Sequence, residues 1–342
     1  RVAIVRGVVQ TGDASKTALQ GATITVRGGA DYGYVTTRAD GLFDIVVNGG
    51  DELDLTYQKN GYLPVQRHVR VPWQDWAWAP DVTMTPEAAP CAAQFISGQP
   101  GWQVVAAPVV NDPVHGTRRV FIAFPPQTVV NAQAANNYYD IRLTEYTTRD
   151  DDSSAMPGEL PPASAYTYAL ELRVAPDGGT SFEQACFNNP VFVYTTDFLG
   201  FPVGTSVPAG TYNRDKGLWE PVTNPSGTAV GGKVVEVQDQ GGTLVFVGDT
   251  VASEEKSAIA ATVGLSAGDK YWRVPMTHFS PADFNWPFEL PSGARGWNGA
   301  PSTGQKPDDE CRSNGSIIGC ESQTLGEALP IAGTPYNLVY QS

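Results

Sequence analysis

The chain has 342 residues, a formal net charge of −14 and no cluster of basic residues, which argues against a nucleic-acid-binding surface. Its 36 glycines, 27 prolines and 10% aromatic residues are typical of all-β proteins with many tight turns. No apolar run approaches the ~20 residues of a membrane-spanning helix, and the start at Arg1, without a signal peptide, indicates a segment of a longer protein.

Residues 1–86 have the pattern of a small β-sandwich. Short segments that alternate apolar and polar residues, such as Gly21–Arg27 and Val65–Val71, are separated by turn sequences such as Asn48–Gly50. About seven strands at this spacing predict a compact two-sheet domain.

Residues 87–300 are predicted to form a larger β-sandwich, introduced by a Pro- and Ala-rich linker over residues 85–100. Its strand-like segments have Gly or Pro at almost every corner. One short helix is predicted from Ser253, as the N-cap, to Val263, because Glu254 and Glu255 favour a first helical turn.

Residues 301–342 are predicted to form an extended C-terminal β segment. Short apolar runs alternate there with Gly, Pro and Asn, which is the pattern of strands joined by turns. Such strands need pairing partners to satisfy their backbone groups.

Four cysteines allow two readings. Cys311 and Cys320 bracket Asn314-Gly315, a hairpin-favouring dipeptide that would bring the two sulfurs together, and this leaves Cys91 with Cys186 as the second disulfide. The alternative is four buried free thiols. A metal site is disfavoured because no Cys-x-x-Cys pair is present and the three histidines are scattered.

Three groups of residues invite a functional reading. The trio His278, Ser280 and Asp283 has the residue types of a hydrolase but not the geometry expected of one, and a turn in an aromatic corner is favoured. The three adjacent carboxylates of Asp150–Asp152 are candidate Ca²⁺ ligands, although a solvated loop is the favoured interpretation. The third group, Trp73, Trp76 and Trp78, suits either a sugar site or a seam with the next domain, and the seam is favoured.

A family resemblance is carried by residues in the first domain. They are Gly7, Gly21-Ala22, Thr37–Phe43 and Gly61-Tyr62, together with the runs Asp31–Tyr34, Arg38–Asp44, Val47–Gly50 and Val71–Trp73. The first group resembles the transthyretin-like, carboxypeptidase-regulatory-like module. The four runs are closer still to the transthyretin-related domain of teneurins, which precedes a β plug and a YD-repeat shell.

Later motifs resemble the N-terminal region of bacterial Rhs/YD-repeat proteins. They are Gly116–Arg119, Glu145–Thr147, Met156–Pro161, Tyr166–Tyr168, Pro208–Tyr212, Trp272–Pro275, His278–Pro281, Asn285–Pro287, Gly315–Ile318, Gln323, Leu325–Glu327 and Pro330–Pro335. The resemblance implies a transthyretin-like domain over 1–86, a fibronectin-plug-like domain over 87–300 and a lead-in to the shell over 301–342.

In that family the plug closes one end of a hollow β shell, which in many bacterial members encloses a C-terminal toxin. The resemblance therefore implies a non-catalytic structural module, without a cofactor, in a secreted or cell-surface bacterial protein. The implied partners are the YD-repeat shell of the same parent chain and a toxin cargo inside it. Neither a nucleic acid nor a membrane span is expected.

A plug must present apolar side chains to the shell. We expect these contacts from six residues, which are Phe279, Phe284, Trp286, Phe288, Leu329 and Ile331. Two other functions compete with this interpretation. One is a cell-surface adhesin whose β-sandwich domains bind a glycan or a protein, and the other is a hydrolase that uses His278, Ser280 and Asp283.

Overall fold

The computed structural model divides into two compact units, Arg1–Phe288 and Glu289–Ser342. In the first unit the structure describes residues 2–12, 15–112, 116–131, 136–146, 153–160, 167–179, 185–224 and 226–285. In the second it describes the backbone of residues 326–330 and 337–341. The described residues are mostly β-structure with one α-helix, which confirms the predicted all-β class. None of the described helical segments is long and apolar enough to cross a membrane.

The first unit begins with a small β-sandwich. Its strands are β1 (Val2–Thr11), β2 (Thr23–Val26), β3 (Tyr34–Thr36), β4 (Leu42–Asn48), β5 (Asp51–Gln58), β6 (Val65–Val71), β7 (Trp76–Trp78) and β8 (Val82–Met84). One sheet has the order β4-β1-β7, with β8 also paired to β1, and the other has the order β3-β2-β5-β6. In β1 the alternate residues Ala3, Val5 and Val9 are buried, as a half-buried strand requires.

Gly7 occupies the remaining inward position of β1 for a steric reason. It pairs with Phe43 on β4, and a Cβ atom on Gly7 would lie 2.7 Å from the Phe43 ring. The missing side chain leaves room for that ring, which packs edge-on against Tyr57 with the ring centroids 5.6 Å apart.

A second, larger β-sandwich follows in the same unit. Its strands are β9 (Phe95–Ile96), β10 (Gln103–Ala106), β11 (Val110–Asp112), β12 (Gly116–Arg118), β13 (Val120–Phe124), β14 (Tyr138–Glu145), β15 (Ala169–Pro176), β16 (Ala185–Thr196), β17 (Ser206–Val207), β18 (Gly210–Asn213), β19 (Leu218–Pro221), β20 (Gly232–Asp239), β21 (Leu244–Val247), β22 (Lys270–Phe279) and β23 (Pro281–Asp283). One sheet has the order β10-β13-β16-β22-β20-β17, with β21 on β20, and the other has the order β19-β18-β23-β15-β14-β9. The strands β11 and β12 pair as a separate two-stranded sheet.

Aromatic side chains fill the core between these two sheets. Phe95 and Phe124 stack with their ring centroids 4.3 Å apart, and Phe187 meets Phe279 edge-on at 4.7 Å. Because each ring removes a large apolar area from water, such a cluster supplies much of the stability of a domain.

The central strand β22 is absent from the sequence-based prediction. Prolines are normally confined to sheet edges and bulges, so Pro275 and Pro281 indicate corners. In the structure Pro275 instead lies inside the ladder opposite Phe192, next to a register shift in β16 between Cys186 and Val191. The chain then passes at Ser280 from β22 in one sheet to β23 in the other.

Residues 85–100 pack along the second sandwich and are not a free linker. The backbone N–H of Cys91 donates to the Ile141 carbonyl at 2.8 Å, and the N–H of Ala88 donates to the Thr144 hydroxyl at 2.9 Å. Phe95 is buried in the aromatic core. The Pro-rich composition therefore marks a segment with irregular backbone that is nevertheless held in place.

The predicted helix is confirmed as α1 (Ser253–Val263). The N-cap is Ala252 rather than Ser253, whose hydroxyl donates to Glu254. Glu255 is buried and accepts hydrogen bonds from the Tyr194 hydroxyl at 2.7 Å and from the Arg273 guanidinium at 2.9 Å. Burial and the adjacent Glu255 carboxylate raise the pKa of Tyr194, which stays a neutral donor. This contact fixes the helix on the larger sheet.

In the second unit, β24 (Gly326–Pro330) pairs antiparallel with β25 (Asn337–Gln341), in a register from Gly326 opposite Gln341 to Pro330 opposite Asn337. This pair agrees with the strands predicted in this segment, and the connection between them lies outside the described residues.

Replacing Glu255 by Gln should destabilise the first unit by about 3–5 kcal/mol, because the buried Arg273 charge loses its fully buried carboxylate partner and keeps only the more exposed Asp249. Chemical denaturation of the purified chain would measure the change. The matched control is Glu254→Gln, an exposed neighbour, which should leave the unfolding midpoint nearly unchanged. Equal effects of the two substitutions would contradict the anchoring role of Glu255.

Candidate functional site

The two sandwiches of the first unit meet at a seam centred on Gln66 and Arg67 of β6. Both residues are buried, and Arg67 is only 3% exposed. The Arg67 guanidinium donates to the carbonyl oxygens of Met156 at 2.9 Å and of Ser154, both in the second sandwich. A charged donor bound to several carbonyls satisfies its hydrogen bonds inside the protein and holds the two backbones in one geometry.

Gln66 connects the same strand to a different part of the second sandwich. Its side-chain oxygen accepts from the Tyr212 hydroxyl at 2.9 Å, and its side-chain nitrogen donates to the Arg214 carbonyl at 3.0 Å. Its backbone N–H donates to the Pro157 carbonyl at 2.7 Å. Both ends of the amide are therefore used across the seam, and this fixes its orientation.

An apolar contact lies beside these hydrogen bonds. Leu63, from the first sandwich, is fully buried against Tyr146, Met156 and Ala169 of the second. Burial of a leucine side chain stabilises such a contact by about 1.5–3 kcal/mol. The seam is thus a small core of its own.

A buried ionic network supports the seam from the second sandwich. Glu171 pairs with Arg214 at 2.8 Å and with Arg173 at 2.9 Å, and it accepts a hydrogen bond from the Tyr146 hydroxyl. Burial acts to raise the pKa of Glu171, but Arg214, Arg173 and the Tyr146 hydroxyl together lower it. Arg173 also pairs with Glu87 in the connecting segment at 3.2 Å. These groups hold the connecting segment and both sandwiches together.

A cavity of about 360 Å³ opens beside the seam. It is lined by Thr85, Arg118 and Glu145, among others. Arg118 pairs with Glu145 at 3.1 Å and with Asp112 at 3.2 Å, so two carboxylates neutralise the cavity's guanidinium. The charges of Arg118, Glu145 and Asp112 are therefore engaged in ion pairs that stabilise the fold.

The three tryptophans of the first sandwich lie outside the seam. Trp73, Trp76 and Trp78 are 56%, 59% and 48% exposed. The favoured prediction that they pack against the next domain is therefore wrong. The seam uses β6 and Leu63, whereas Trp76 and Trp78 belong to β7 in the opposite sheet.

Trp76 and Trp78 share the outer face of their sheet with residues of β1 and β4. The backbone register aligns Trp76 with Ile4 and Val46, and it aligns Trp78 with Arg6 and Asp44. We call this surface the tryptophan face, defined by Ile4, Arg6, Asp44, Val46, Trp76 and Trp78. Ile4, Val46 and both indoles are exposed.

The turn between β4 and β5 positions the third indole. Gly50 has φ of 97°, and a Cβ there would lie 2.8 Å from the Trp73 ring, while a Cβ on Gly49 would lie 2.1 Å from the Pro72 carbonyl oxygen. Two glycines are therefore required for Pro72 and Trp73 to lie against the turn. This contact explains why the Asn48–Gly50 and Val71–Trp73 motifs occur together.

Two of the six predicted shell contacts are wrong. Phe279 and Phe284 are 1% and 0% exposed in the core of the second sandwich, so neither reaches a surface. Residues on both sides of the Ser280 crossover face the interior, because the chain there runs between two sheets. Trp286, Phe288 and Ile331 lie outside the described residues, and Leu329 lies in β24.

The trio His278, Ser280 and Asp283 has packing roles. The Ser280 hydroxyl contacts the Pro281 carbonyl at 3.5 Å, and Asp283 accepts from the Asn285 amide at 2.8 Å. Burial raises the pKa of Asp283 to about 6 and lowers that of His278. A Cβ on Gly210 would lie 2.2 Å from the Asp283 carboxylate, which shows how closely β18 approaches this side chain. The three groups do not form the hydrogen-bonded relay of a hydrolase.

The described cysteines, Cys91 and Cys186, are both free. Cys91 is buried, which raises the pKa of its thiol to about 11, whereas Cys186 is exposed on β16. The predicted Cys91–Cys186 disulfide is not formed, and of these two described cysteines the alternative of buried thiols fits Cys91 and not Cys186. Cys311 and Cys320 lie outside the described residues, as does the acidic segment 150–152. Among the residues described, no three His, Cys, Asp or Glu side chains are grouped to hold a metal ion.

The first sandwich is a transthyretin-like domain: the family model of the "Teneurin TTR-like domain" matches residues 1–84. Teneurin-3 of Danio rerio is 34% identical over 110 residues, which is 32% of this chain and 4% of that protein. Teneurin-3 of Mus musculus is 32% identical over 108 residues, or 31% of this chain and 4% of that protein. Teneurin-1 of Homo sapiens is 33% identical over 84 residues, or 25% of this chain and 3% of that protein.

These matches cover a quarter to a third of the chain and a very small part of each teneurin. They confirm the resemblance for the first domain and indicate no catalytic family. The resemblance of the later residues to an Rhs plug stays a prediction.

Replacing Arg67 by Met should lower the free energy of unfolding by at least about 3 kcal/mol, because buried carbonyls of residues 154 and 156 lose a charged donor. Urea denaturation of the intact chain would measure this, and limited proteolysis should then cut near residue 85. Arg70→Met, an exposed position on the same strand, is the matched control. A similar loss in both variants would contradict the special role of Arg67.

Asp283 should make stability depend on pH. Burial raises the pKa of Asp283 from 3.8 to about 6 in the folded state. The stabilisation that the protonated carboxyl gives the folded state is therefore complete below the unfolded-state pKa and is lost as pH rises through about 6. The pKa difference corresponds to roughly 3 kcal/mol in the free energy of unfolding. Asp283→Asn should therefore stabilise the chain at pH 8 and have little effect at pH 4. Thermal unfolding of both proteins at the two pH values tests this, and a difference that does not change with pH would contradict it.

Proposed function

We propose that this chain is a non-catalytic structural module that caps the hollow β shell of a teneurin-like Rhs/YD-repeat protein. The transthyretin-like domain at residues 1–84 supports the proposal, because the corresponding module precedes the plug and the shell in that family. The later Rhs-like motifs, in the order plug and then shell lead-in, support it further.

The observation that carries the proposal is the buried seam at Gln66 and Arg67. A domain that closes one end of a shell has to resist deformation. Two sandwiches joined only by a flexible linker would not resist it. The seam combines hydrogen bonds from the Arg67 guanidinium and the Gln66 amide to main-chain carbonyls with the apolar contact of Leu63. Interfaces between domains that are only tethered are more polar than permanent interfaces, and they allow the domains to move relative to each other.

The buried ionisable groups are consistent with a structural role. Glu171 and Glu255 are each paired with arginines inside the second sandwich, and both networks hold elements together. Enzymes usually display the ionisable groups that they use in an accessible cleft. Here Glu171 and Glu255 are almost completely enclosed by the fold.

The proposal extends to location and partners. The parent protein would be a secreted or cell-surface bacterial protein, and the partner of this chain would be the YD-repeat shell of the same polypeptide, with a toxin cargo inside. Of the six expected shell contacts, Trp286, Phe288, Leu329 and Ile331 are retained in the proposal. The buried Phe279 and Phe284 are not.

In the full-length parent protein, Trp286→Ser combined with Phe288→Ser should loosen the cap. A protease site inserted directly after Ser342 would separate this chain from the repeats. With the native residues the two pieces should stay together on size-exclusion chromatography after cleavage, because apolar contacts hold them, whereas the double variant should dissociate.

The matched control is Leu218→Ser, which changes an exposed apolar residue of the second sandwich. It should leave the cleaved pieces associated. A parent protein without YD repeats after this chain, or a double variant that stays fully associated, would overturn the proposal.

A further inference from the structure

The tryptophan face and the neighbouring Trp73 are not used by the seam. They place three half-exposed indoles within six residues of chain, two of them, Trp76 and Trp78, on the sheet opposite the one that contributes β6 to the seam. Large exposed aromatic groups cost solvation free energy, and clusters of them mark interaction sites. We propose that the tryptophan face is a binding platform for a neutral oligosaccharide.

The apolar part of the platform suits the face of a sugar ring. One side of a pyranose ring presents C–H bonds, which pack flat against an indole. Trp76 and Trp78 project from the same side of β7, about 7 Å apart along the strand. Ile4 and Val46 extend the apolar surface across β1 and β4. Successive sugar rings of a chain can therefore lie along the sheet.

The polar part of the platform suits hydroxyl groups. Arg6 donates to Asp44 at 2.5 Å, and Arg38 donates to the other oxygen of the same carboxylate at 2.9 Å. Burial acts to raise the pKa of Asp44, but the two guanidinium groups lower it, so the carboxylate stays ionised. Both arginines are half-exposed and have further N–H groups to offer.

The charges of this cluster favour a neutral ligand. Arg6 and Arg38 carry two positive charges, and Asp40 and Asp44 carry two negative ones, so this cluster is neutral, while Asp75 and Asp81 beside the indoles disfavour an anionic ligand. Further along the sheet, the Trp78 indole N–H donates to Asp81 at 3.3 Å, and the backbone N–H of Trp76 donates to Asp75 at 2.8 Å. The indoles are thus bordered by hydrogen-bonding groups.

The platform is also largely preformed. Its side chains project from paired strands, and beside them Gly50 leaves the space that the Trp73 ring occupies. A rigid site loses little conformational entropy on binding, which matters most for weakly binding ligands such as sugars.

A protein partner fits this surface less well. A stable protein interface buries ~800 Å² on each side and excludes water from an apolar centre. Here the ion-paired Arg6 and Asp44 lie directly beside Trp78 in the sheet register, and a protein would have to desolvate them. Sugar hydroxyls can hydrogen-bond to the same groups without removing their water shell completely.

The test uses the intact 342-residue chain on an array of neutral and anionic oligosaccharides. Soluble cellohexaose and chitohexaose then serve as probes in titrations that follow tryptophan fluorescence. We expect binding to neutral oligosaccharides and a loss of about tenfold in affinity for Trp76→Ala and for Trp78→Ala. Trp76→Tyr should retain most of the affinity, because it keeps an aromatic face.

Two exposed residues away from the face provide the controls. Tyr34→Ala, on the other sheet of the first sandwich, and Leu218→Ala, in the second sandwich, should leave binding unchanged. Circular dichroism melting curves would show that each variant is folded.

Three results would overturn the proposal. They are the absence of binding to any neutral oligosaccharide of the array, binding that survives loss of both indoles, and binding restricted to anionic oligosaccharides. Sedimentation without sugar adds a fourth, since self-association that depends on Trp76 and Trp78 would make the face a contact between copies of the chain. None of these assays involves a YD-repeat shell, so their outcome is independent of the proposed capping function.

Discussion

The arrangement of the two sandwiches depends on one buried guanidinium. Arg67 leaves the interior-facing side of β6 and donates to carbonyl oxygens of the second sandwich. Removing a charge from water is costly, and only a full set of acceptors offsets that cost. The two sandwiches must therefore meet in one geometry, in which Gln66 reaches Tyr212 and Leu63 reaches the small core around Met156.

The same seam decides which surfaces are free. By using β6 and the residues around Leu63, it leaves the opposite sheet of the first sandwich uncovered, with Trp76 and Trp78 at its surface. Glu171 and Arg214 then continue the polar network into the second sandwich. The choice of β6 as the contacting strand thus separates the side of the transthyretin-like domain that packs on the second sandwich from the side that carries the exposed indoles.

The sequence was sufficient to predict the class of fold, because period-two alternation shows directly which residues face the core of a strand. It did not predict β22, since Pro275 interrupts the pattern, or the burial of Phe279 and Phe284, since both faces of that region are covered. The assignment of the tryptophans to the seam failed for a related reason. Composition shows that a residue is apolar, but the side of a domain that is covered depends on contacts between distant segments.

A signal for the seam was present in β6. Val65, Val69 and Val71 lie on the inward side of the strand, and Arg67 occupies an alternate position on that same side. A lone charge in an apolar stripe predicts a buried and fully bonded group, although not its partner. The acceptors themselves are main-chain carbonyls, which no sequence pattern indicates.

That choice of acceptors has a consequence for how the two domains can diverge. Every residue has a carbonyl oxygen, so the hydrogen bonds that Arg67 and Gln66 make to residues 154, 156 and 214 do not depend on which side chains stand there. These particular hydrogen bonds persist through a change of side chain as long as the backbone path is kept, whereas the packing of Met156 on Leu63 and the pairing of Arg214 with Glu171 do not. This part of the joint thus constrains the backbone shape of the second sandwich rather than its composition.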